Sequence, residues 1–256
     1  RIHLLSELEK ELEGFSKAAK IVMQESERGT LRGVHGPVGK MIRTEDRYAL
    51  AVETALGAHV GDIIVDTQDN GKDIFALLKR RDGGRVTLQP MDVIRPARLN
   101  GEPRGEAGYV GVCSDLVNCD KRYSAVIASL LGRTAVAETL TDAIAIARRH
   151  NNSFRIVTLD GQILNAGGSM TGGSAGKNTG ILSRANELKR LREKRGDLEA
   201  QLSQTESQRR EAERELQSAR YDLETAREEH AAARQETARQ EGLVAQAQLL
   251  RTAAAD

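Results

Sequence analysis

From Ser183 to Asp256 the chain has no proline and only two glycines, Gly196 and Gly242, and is crowded with Glu, Arg, Ala and Gln. Taking Leu188 as an a position, the a/d series 188, 191, 195, 198, 202 and onward to 254 places Leu, Ala or Val at thirteen of twenty positions. A heptad sustained that far is the signature of a coiled coil. A shorter echo stands at the other end, with Leu5, Leu8, Leu12, Phe15, Ala19 and Val22 at alternating spacings of three and four. A solvated single helix would leave either stripe in water, which disfavours that reading. If the two ends lie side by side, the arms run antiparallel. The register then sets Leu5 against Thr205, Leu8 against Leu202, Leu12 against Leu198, Phe15 against Arg195, Ala19 against Leu191 and Val22 against Leu188. The expected seam is Leu5, Leu8, Leu12, Leu188, Leu191, Leu198 and Leu202. Beyond about Gln208 the C-terminal arm outruns its partner in this chain.

Between the arms the composition changes. Residues 29–182 hold all four prolines and most of the glycines. Short β-type runs alternate there with helical ones, an α/β or α+β pattern. The pattern recurs. RYALAVETALG (Arg47–Gly57) and RYSAVIASLLG (Arg122–Gly132) align without a gap, and the Val-Thr-Leu run ending at Leu88 echoes the one ending at Leu159. Ordered recurrence of helix, strand, helix and strand points to two related mixed subdomains rather than to chance likeness of Ala-rich helices. They span about 29–95 and 105–182, with arms at 1–28 and 183–256.

Glycine is concentrated in two places: Gly33, Gly36 and Gly39 at the head of the first copy, and DGQILNAGGSMTGGSAG (Asp160–Gly176) at the end of the second. In the latter Gly161, Gly168, Gly172 and Gly173 form a G-x6-G-x3-G-G spacing, with Gly167 as an extra. A phosphate-binding loop ending at Gly176-Lys177 needs glycine at 171 and Ser or Thr at 178, where this chain has Thr171 and Asn178. A dinucleotide fingerprint is absent as well. Close approach of backbone to backbone remains, which a packed interface demands.

Little supports catalysis. The five histidines, His3, His35, His59, His150 and His230, are scattered, and Ser169 and Ser174 lack a nucleophile-elbow context. Cys113 and Cys119 are too few for a disulfide framework and suit thiols in a reducing compartment. The chain begins at Arg1, carries no run of 18 apolar residues, and reads as an internal segment of a longer soluble protein. The expectation is a non-enzymatic module with no cofactor, no metal and no membrane partner.

Taken together, the arms, the duplicated globule and the glycine spacing resemble the hinge of a structural maintenance of chromosomes (SMC) protein. TLDGQILNAGGSMTGGS (Thr158–Ser174) is similar to the hinge signature in its bacterial form, and GVHGPVGKMI (Gly33–Ile42) to the family's opening strand. That resemblance implies a homodimer in which the first subdomain of each chain meets the second of the other. Gly33, Gly36, Gly39, Gly161, Gly168, Gly172 and Gly173 would then lie at the contacts. It also implies a role in chromosome condensation and segregation within the cytoplasm and nucleoid. ATP would act at distant heads outside this segment, together with kleisin-type subunits. Zinc-hook relatives dimerise through a C-x-x-C, which Cys113 and Cys119, six apart, do not form.

Sequence-independent DNA contact is a further implication. Candidate residues are Lys79, Arg80 and Arg81, Lys121 and Arg122, and Arg148 and Arg149. Residues 29–180 carry 19 Lys and Arg against 16 Asp and Glu, a modest +3. Such clusters equally suit solvated helix ends favoured by the macrodipole. With few aromatics among them, phosphate contact is the expected mode. A module that chiefly binds DNA and dimerises weakly or under control is the alternative.

Overall fold

The computed structural model describes residues 1–173 and 180–253, so Ser174, Gly176, Lys177 and Asn178 lie outside the described residues. Two units divide the chain, Arg1–Arg192 and Glu193–Asp256.

Within the first unit the duplication is explicit. One copy runs β1 (Val34–Pro37), α3 (Val38–Met41), β2 (Ile42–Thr44), α4 (Asp46–Leu56), β3 (Ile63–Val65), α5 (Gln68–Arg80) and β4 (Leu88–Pro90). The other runs β5 (Tyr109–Val112), a 3-10 turn at Cys113–Leu116, β6 (Val117–Cys119), α6 (Ser124–Leu131), β7 (Thr134–Ala137), α7 (Leu140–Arg149) and β8 (Arg155–Thr158). In each, the opening strand pairs antiparallel with the third and the third pairs parallel with the fourth, giving β1-β3-β4 and β5-β7-β8. The second copy adds β9 (Ile163–Leu164) and β10 (Met170–Thr171), extending its sheet to β10-β9-β8-β7-β5. Local chemistry repeats too. Thr67 caps α5 by accepting from the Asn70 N–H, and Thr139 caps α7 by accepting from the Asp142 N–H.

The inner strands read as unbroken apolar runs because both faces of each sheet are covered. Ile63 and Val65 face α5 and Ala18, Ala19 and Val22 of α2 (Lys17–Glu27), whereas Ile64 faces the middle of the molecule. Ala135, Ala137 and Ile156 likewise face α7, and Val136 and Val157 face the middle. There α4 and α6 pack together through Val52, Leu56, Val126, Ile127 and Leu131. The two copies also share a small sheet in which β2 and β6 run antiparallel, Ile42 opposite Cys119, Arg43 opposite Asn118 and Thr44 opposite Val117. Because Ile42, Arg43 and Thr44 are the repeat equivalents of Val117, Asn118 and Cys119, the local twofold passes through the Arg43–Asn118 pair.

The N-terminal arm departs from the expected continuous helix. It breaks between α1 (Ile2–Lys10) and α2, with Leu12 at φ 54° and Gly14 at φ 95°, before Ser16 caps the next helix. Past the break, Val22 joins the core of the first copy instead of meeting Leu188. The expected register is therefore corrected. Leu5 and Leu8 share a cleft with Leu188, Ser6 accepts a hydrogen bond from Arg192 at 3.0 Å, and Arg1 pairs with Glu187 at 2.5 Å. Leu5, Leu12 and Leu188 are buried, and Leu8 and Leu191 half-buried.

The second unit is helical, the continuation of α8 (Ile181–Ala253). Leu198, Leu202, Leu216 and Leu223 are exposed on it, and ion pairs such as Arg195–Glu199 and Arg210–Glu206 line its surface at i,i+4 spacing.

Candidate functional site

The glycine signature builds a hairpin at the edge of the second sheet. Thr158 starts it: its hydroxyl accepts from the Gln162 N–H at 2.9 Å, and its carbonyl accepts from the Gly161 N–H. The Asn165 N–H donates to the Ser169 carbonyl to close the next turn. Gln162 then clasps the hairpin's end, accepting from the Gly173 N–H at 3.0 Å and donating to the Gly173 carbonyl at 3.2 Å. A Cβ at Gly172 would collide with that amide, so Gly172 serves the clasp within the chain. Gln162 is a residue that sequence reasoning missed, since a lone Gln among glycines carries no signal.

The seven candidate glycines separate by surroundings. Gly36 and Gly39 are buried beneath Met41 and Val60, and Gly161 lies against Leu50 and Thr54 of α4. Gly33 has φ 66°, and a Cβ there would strike Asn70 and Asp66. Its repeat equivalent Gly108, also missed in the sequence, has φ 72° and meets Asp142, the counterpart of Asn70. Each of these two carbonyls accepts from the residue after the third strand, Asp66 or Glu138. Only an unhindered backbone fits both demands. Gly168 and Gly173 differ, being exposed, with nothing within 4 Å of a Cβ at Gly173 and only Asn152, at 3.8 Å, near one at Gly168.

The basic clusters close equivalent helices, Lys79-Arg80-Arg81 at the end of α5 and Arg148-Arg149-His150 at the end of the shorter α7. In each, carboxylates take part of the charge. Arg81 pairs at 3.0 Å with buried Glu25, which also holds Arg28. Arg149 and His150 both pair at 2.7 Å with Glu106, and the His150 hydrogen bond, followed by Arg149, holds that carboxyl below the usual range. Arg122 pairs with Asp120 and stacks on Tyr123, as Arg47 stacks on Tyr48. Lys79, Arg80, Lys121 and Arg148 are exposed and have no carboxylate partner among the described residues. Sequence reasoning also passed over a narrow cleft of about 40 Å³ at the foot of α8, where Lys40, Arg43 and Arg184 sit beside Glu9 and Glu13.

Two polar struts join the copies. Tyr123 and Asp66 both bond His35, the Tyr hydroxyl to Nδ1 at 3.1 Å and the Asp carboxylate to Nε2 at 2.7 Å. Arg155 of β8 donates to the Ala55 carbonyl at the end of α4, where a cation suits the helix dipole. Glu53 of α4 accepts from the Ile181 N–H at the start of α8, and burial raises its pKa despite that bond. Burial pushes the Cys113 thiol up to about 12. Among the described residues no group of His, Cys, Asp and Glu is placed to hold a metal.

A duplicated α/β globule whose copies pair strand to strand, set at the root of a long helix, is the architecture of a hinge. The model of the SMC proteins flexible hinge domain matches residues 31–147. A hinge domain from Geobacillus stearothermophilus, solved as an asymmetric dimer, is similar at 35% identity and TM-score 0.73, over 80% of this chain and 83% of that one. The Pyrococcus furiosus SMC hinge domain is similar at 25% identity and TM-score 0.53, over 68% of this chain and 87% of that one. The chromosome partition protein Smc of Bacillus subtilis is 34% identical over 208 residues, 79% of this chain and 17% of that protein. The corresponding protein of Halothermothrix orenii is 33% identical over 207 residues, with the same shares. This chain belongs to the SMC hinge family. It spans under a fifth of the length of the curated relatives it matches.

Proposed function

We propose that the chain is the homodimerisation hinge of a bacterial chromosome-partitioning SMC protein, joining two copies through their globules so that the arms of each lead away from a common joint. The observation that carries this reading is the β9–β10 hairpin. Among the described residues it leaves β10 as an unpaired sheet edge, a template for another chain, with Met170 exposed on it and bare glycine backbone at Gly168 and Gly173. The role is mechanical, not catalytic. ATP binding and kleisin-type subunits belong to parts of the parent protein outside this segment, and the setting is the cytoplasm and nucleoid. Sedimentation of the wild type should give a dimer at micromolar concentration. Gly168→Glu, which puts a charge at that edge, should weaken the dimer while costing the fold only about 1 kcal/mol, the strain of its positive φ in an otherwise open site. A monomeric wild type, or an undiminished dimer in the variant, would refute this role for the hairpin.

A second reading, sequence-independent DNA contact, is favoured by four exposed cations of the basic clusters, Lys79, Arg80, Lys121 and Arg148, which have no carboxylate partner among the described residues. Neutralising Lys79, Arg80 and Arg148 should weaken binding to all duplexes alike. It should also flatten the salt dependence by about 0.9 in log–log slope for each phosphate that is no longer neutralised. Replacing Arg81 and Arg149, already paired with carboxylates, should do less. Equal effects from the two sets would leave the clusters as solvated helix ends.

A further inference from the structure

The cleft at the foot of α8 combines an apolar floor with an unbalanced charged rim. The break in the N-terminal arm shapes it. Leu12 and Gly14, at φ 54° and 95°, turn the chain between α1 and α2, and Arg184 fastens that turn to α8 by donating to the Glu13 carbonyl at 2.9 Å. Beside the turn, Leu5, Leu8, Phe15, Ile181 and Leu188 line a cavity of about 40 Å³. One water needs about 10–15 Å³ of such space, so the cavity takes about three or four groups of that size. That is one branched aliphatic side chain. A nucleobase or a long alkyl chain is too large.

At the rim stand Lys40, Arg43 and Arg184 with Glu9 and Glu13. Glu13 is already paired with Lys20 at 3.3 Å, which leaves three cations facing Glu9. Lys40 and Arg43 have no carboxylate partner among the described residues, and the Lys40 and Ile42 carbonyls steady the Arg43 guanidinium at 2.9 and 2.7 Å. The same two cations also border a wider, shallow groove that continues over Met41, Asn118 and Cys119. Its one carboxylate, Asp120, is engaged by the Arg122 side chain and by the Arg122 N–H.

We propose that this cleft docks an acidic peptide segment of another protein, with one leucine-sized side chain in the cavity and neighbouring carboxylates on Lys40 and Arg43. Cavity and rim together choose this occupant. A phosphate backbone would use the cations and leave the apolar floor unfilled. A wholly apolar segment would cover the floor and strip water from cations it cannot pair. Carboxylates beside a branched aliphatic residue satisfy both: the buried side chain anchors the segment, and the charges fix its direction along the groove. The site lies within a single chain and does not depend on the dimer proposed above.

Fluorescence anisotropy tests this with the full chain and a labelled heptapeptide, one leucine flanked by three glutamates on each side. Binding should saturate. Replacing the peptide's leucine by alanine should raise the dissociation constant about tenfold or more, and replacing its glutamates by glutamine should do the same. Ala185→Leu, which fills the cavity from α8 and leaves every charge in place, should weaken binding about tenfold. Lys40→Gln and Arg43→Gln should each weaken it about fivefold. Thermal melting should match the wild type for Lys40→Gln, whose side chain has no hydrogen-bond partner among the described residues, so the charge effect is readable even if Arg43→Gln loosens its turn. No saturation at millimolar peptide overturns the proposal. So does binding indifferent both to the peptide's leucine and to Ala185→Leu. Duplex DNA that displaces the peptide and binds Ala185→Leu as tightly as the wild type would assign the rim to nucleic acid instead, and equally overturns it.

Discussion

Tyr123→Phe isolates one strut between the copies. The ring is retained, so packing changes little, and Tyr123 itself is 4% exposed. What goes is the hydroxyl bonded at 3.1 Å to His35, whose side chain is 18% exposed and whose other nitrogen is held by Asp66. A typical buried hydrogen bond contributes about 0.5–1.5 kcal/mol, and leaving a partner unsatisfied costs about 1–3 kcal/mol. Because His35 keeps some access to water, the expected loss is about 1–1.5 kcal/mol. For a folded unit of this size, that lowers the melting temperature by about 2–6 °C. The repeat supplies the control. Tyr48 occupies the equivalent position and stacks on Arg47, but its hydroxyl bonds to nothing among the described residues. Tyr48→Phe should therefore stay within about 0.5 kcal/mol of the wild type. Urea unfolding followed by circular dichroism at one fixed protein concentration measures both, since the proposed dimer would make stability concentration-dependent. Adding His35→Ala completes a double-mutant cycle, and its coupling energy with Tyr123→Phe should recover most of the single-variant loss. If Tyr48→Phe costs as much as Tyr123→Phe, or the cycle shows no coupling, the strut contributes nothing.

Glu106→Gln tests the clasp on α7. A carboxyl held below its usual range stabilises the fold above the unfolded value, about pH 4.3, and loses that contribution as pH falls through the folded one. The stability gap between wild type and variant should be level above about pH 5 and close in stronger acid; a gap that widens in acid would contradict the assignment. Thiol labelling of the native protein should modify half-buried Cys119 and spare Cys113, buried and pushed up to about 12, until the chain unfolds. Gly108→Ala should destabilise by about 2–4 kcal/mol, combining a strained φ with a collision against Asp142. Gly105→Ala, strained at φ 80° but with nothing within 4 Å, should cost only about 1 kcal/mol by denaturant titration.

The repeat was legible because the Arg-Tyr and Leu-Gly ends of two helices survive at a constant offset, and the structure places them as α4 and α6. The same offset leads from Gly33 to Gly108 and from Gly36 to Gly111, a link that sequence reasoning left unused because it compared helices and not their lead-in strands. Arm register was not legible. Leu5, Leu8, Leu12 and Phe15 keep heptad spacing across a break at which Leu12 and Gly14 turn left-handed, since each half still needs an apolar face, though against different partners. Nor does a linear charge count reveal partners. Arg81 and Arg80 are neighbours in sequence, yet only Arg81 meets buried Glu25. The glycine run pointed to its region, but Gly172 serves a clasp that no spacing rule encodes.

The pairing of β2 with β6 centres on equivalent residues, Arg43 and Asn118, as a twofold interface between separate molecules does. Here a tether of about twenty residues supplies the partner, and a tethered contact meets an effective concentration in the millimolar range that dilution cannot change. The proposed association between two chains has no such tether. The two levels of pairing therefore obey different laws of mass action. In the proposed dimer, dilution would empty the joint between molecules long before it disturbed the one inside the chain.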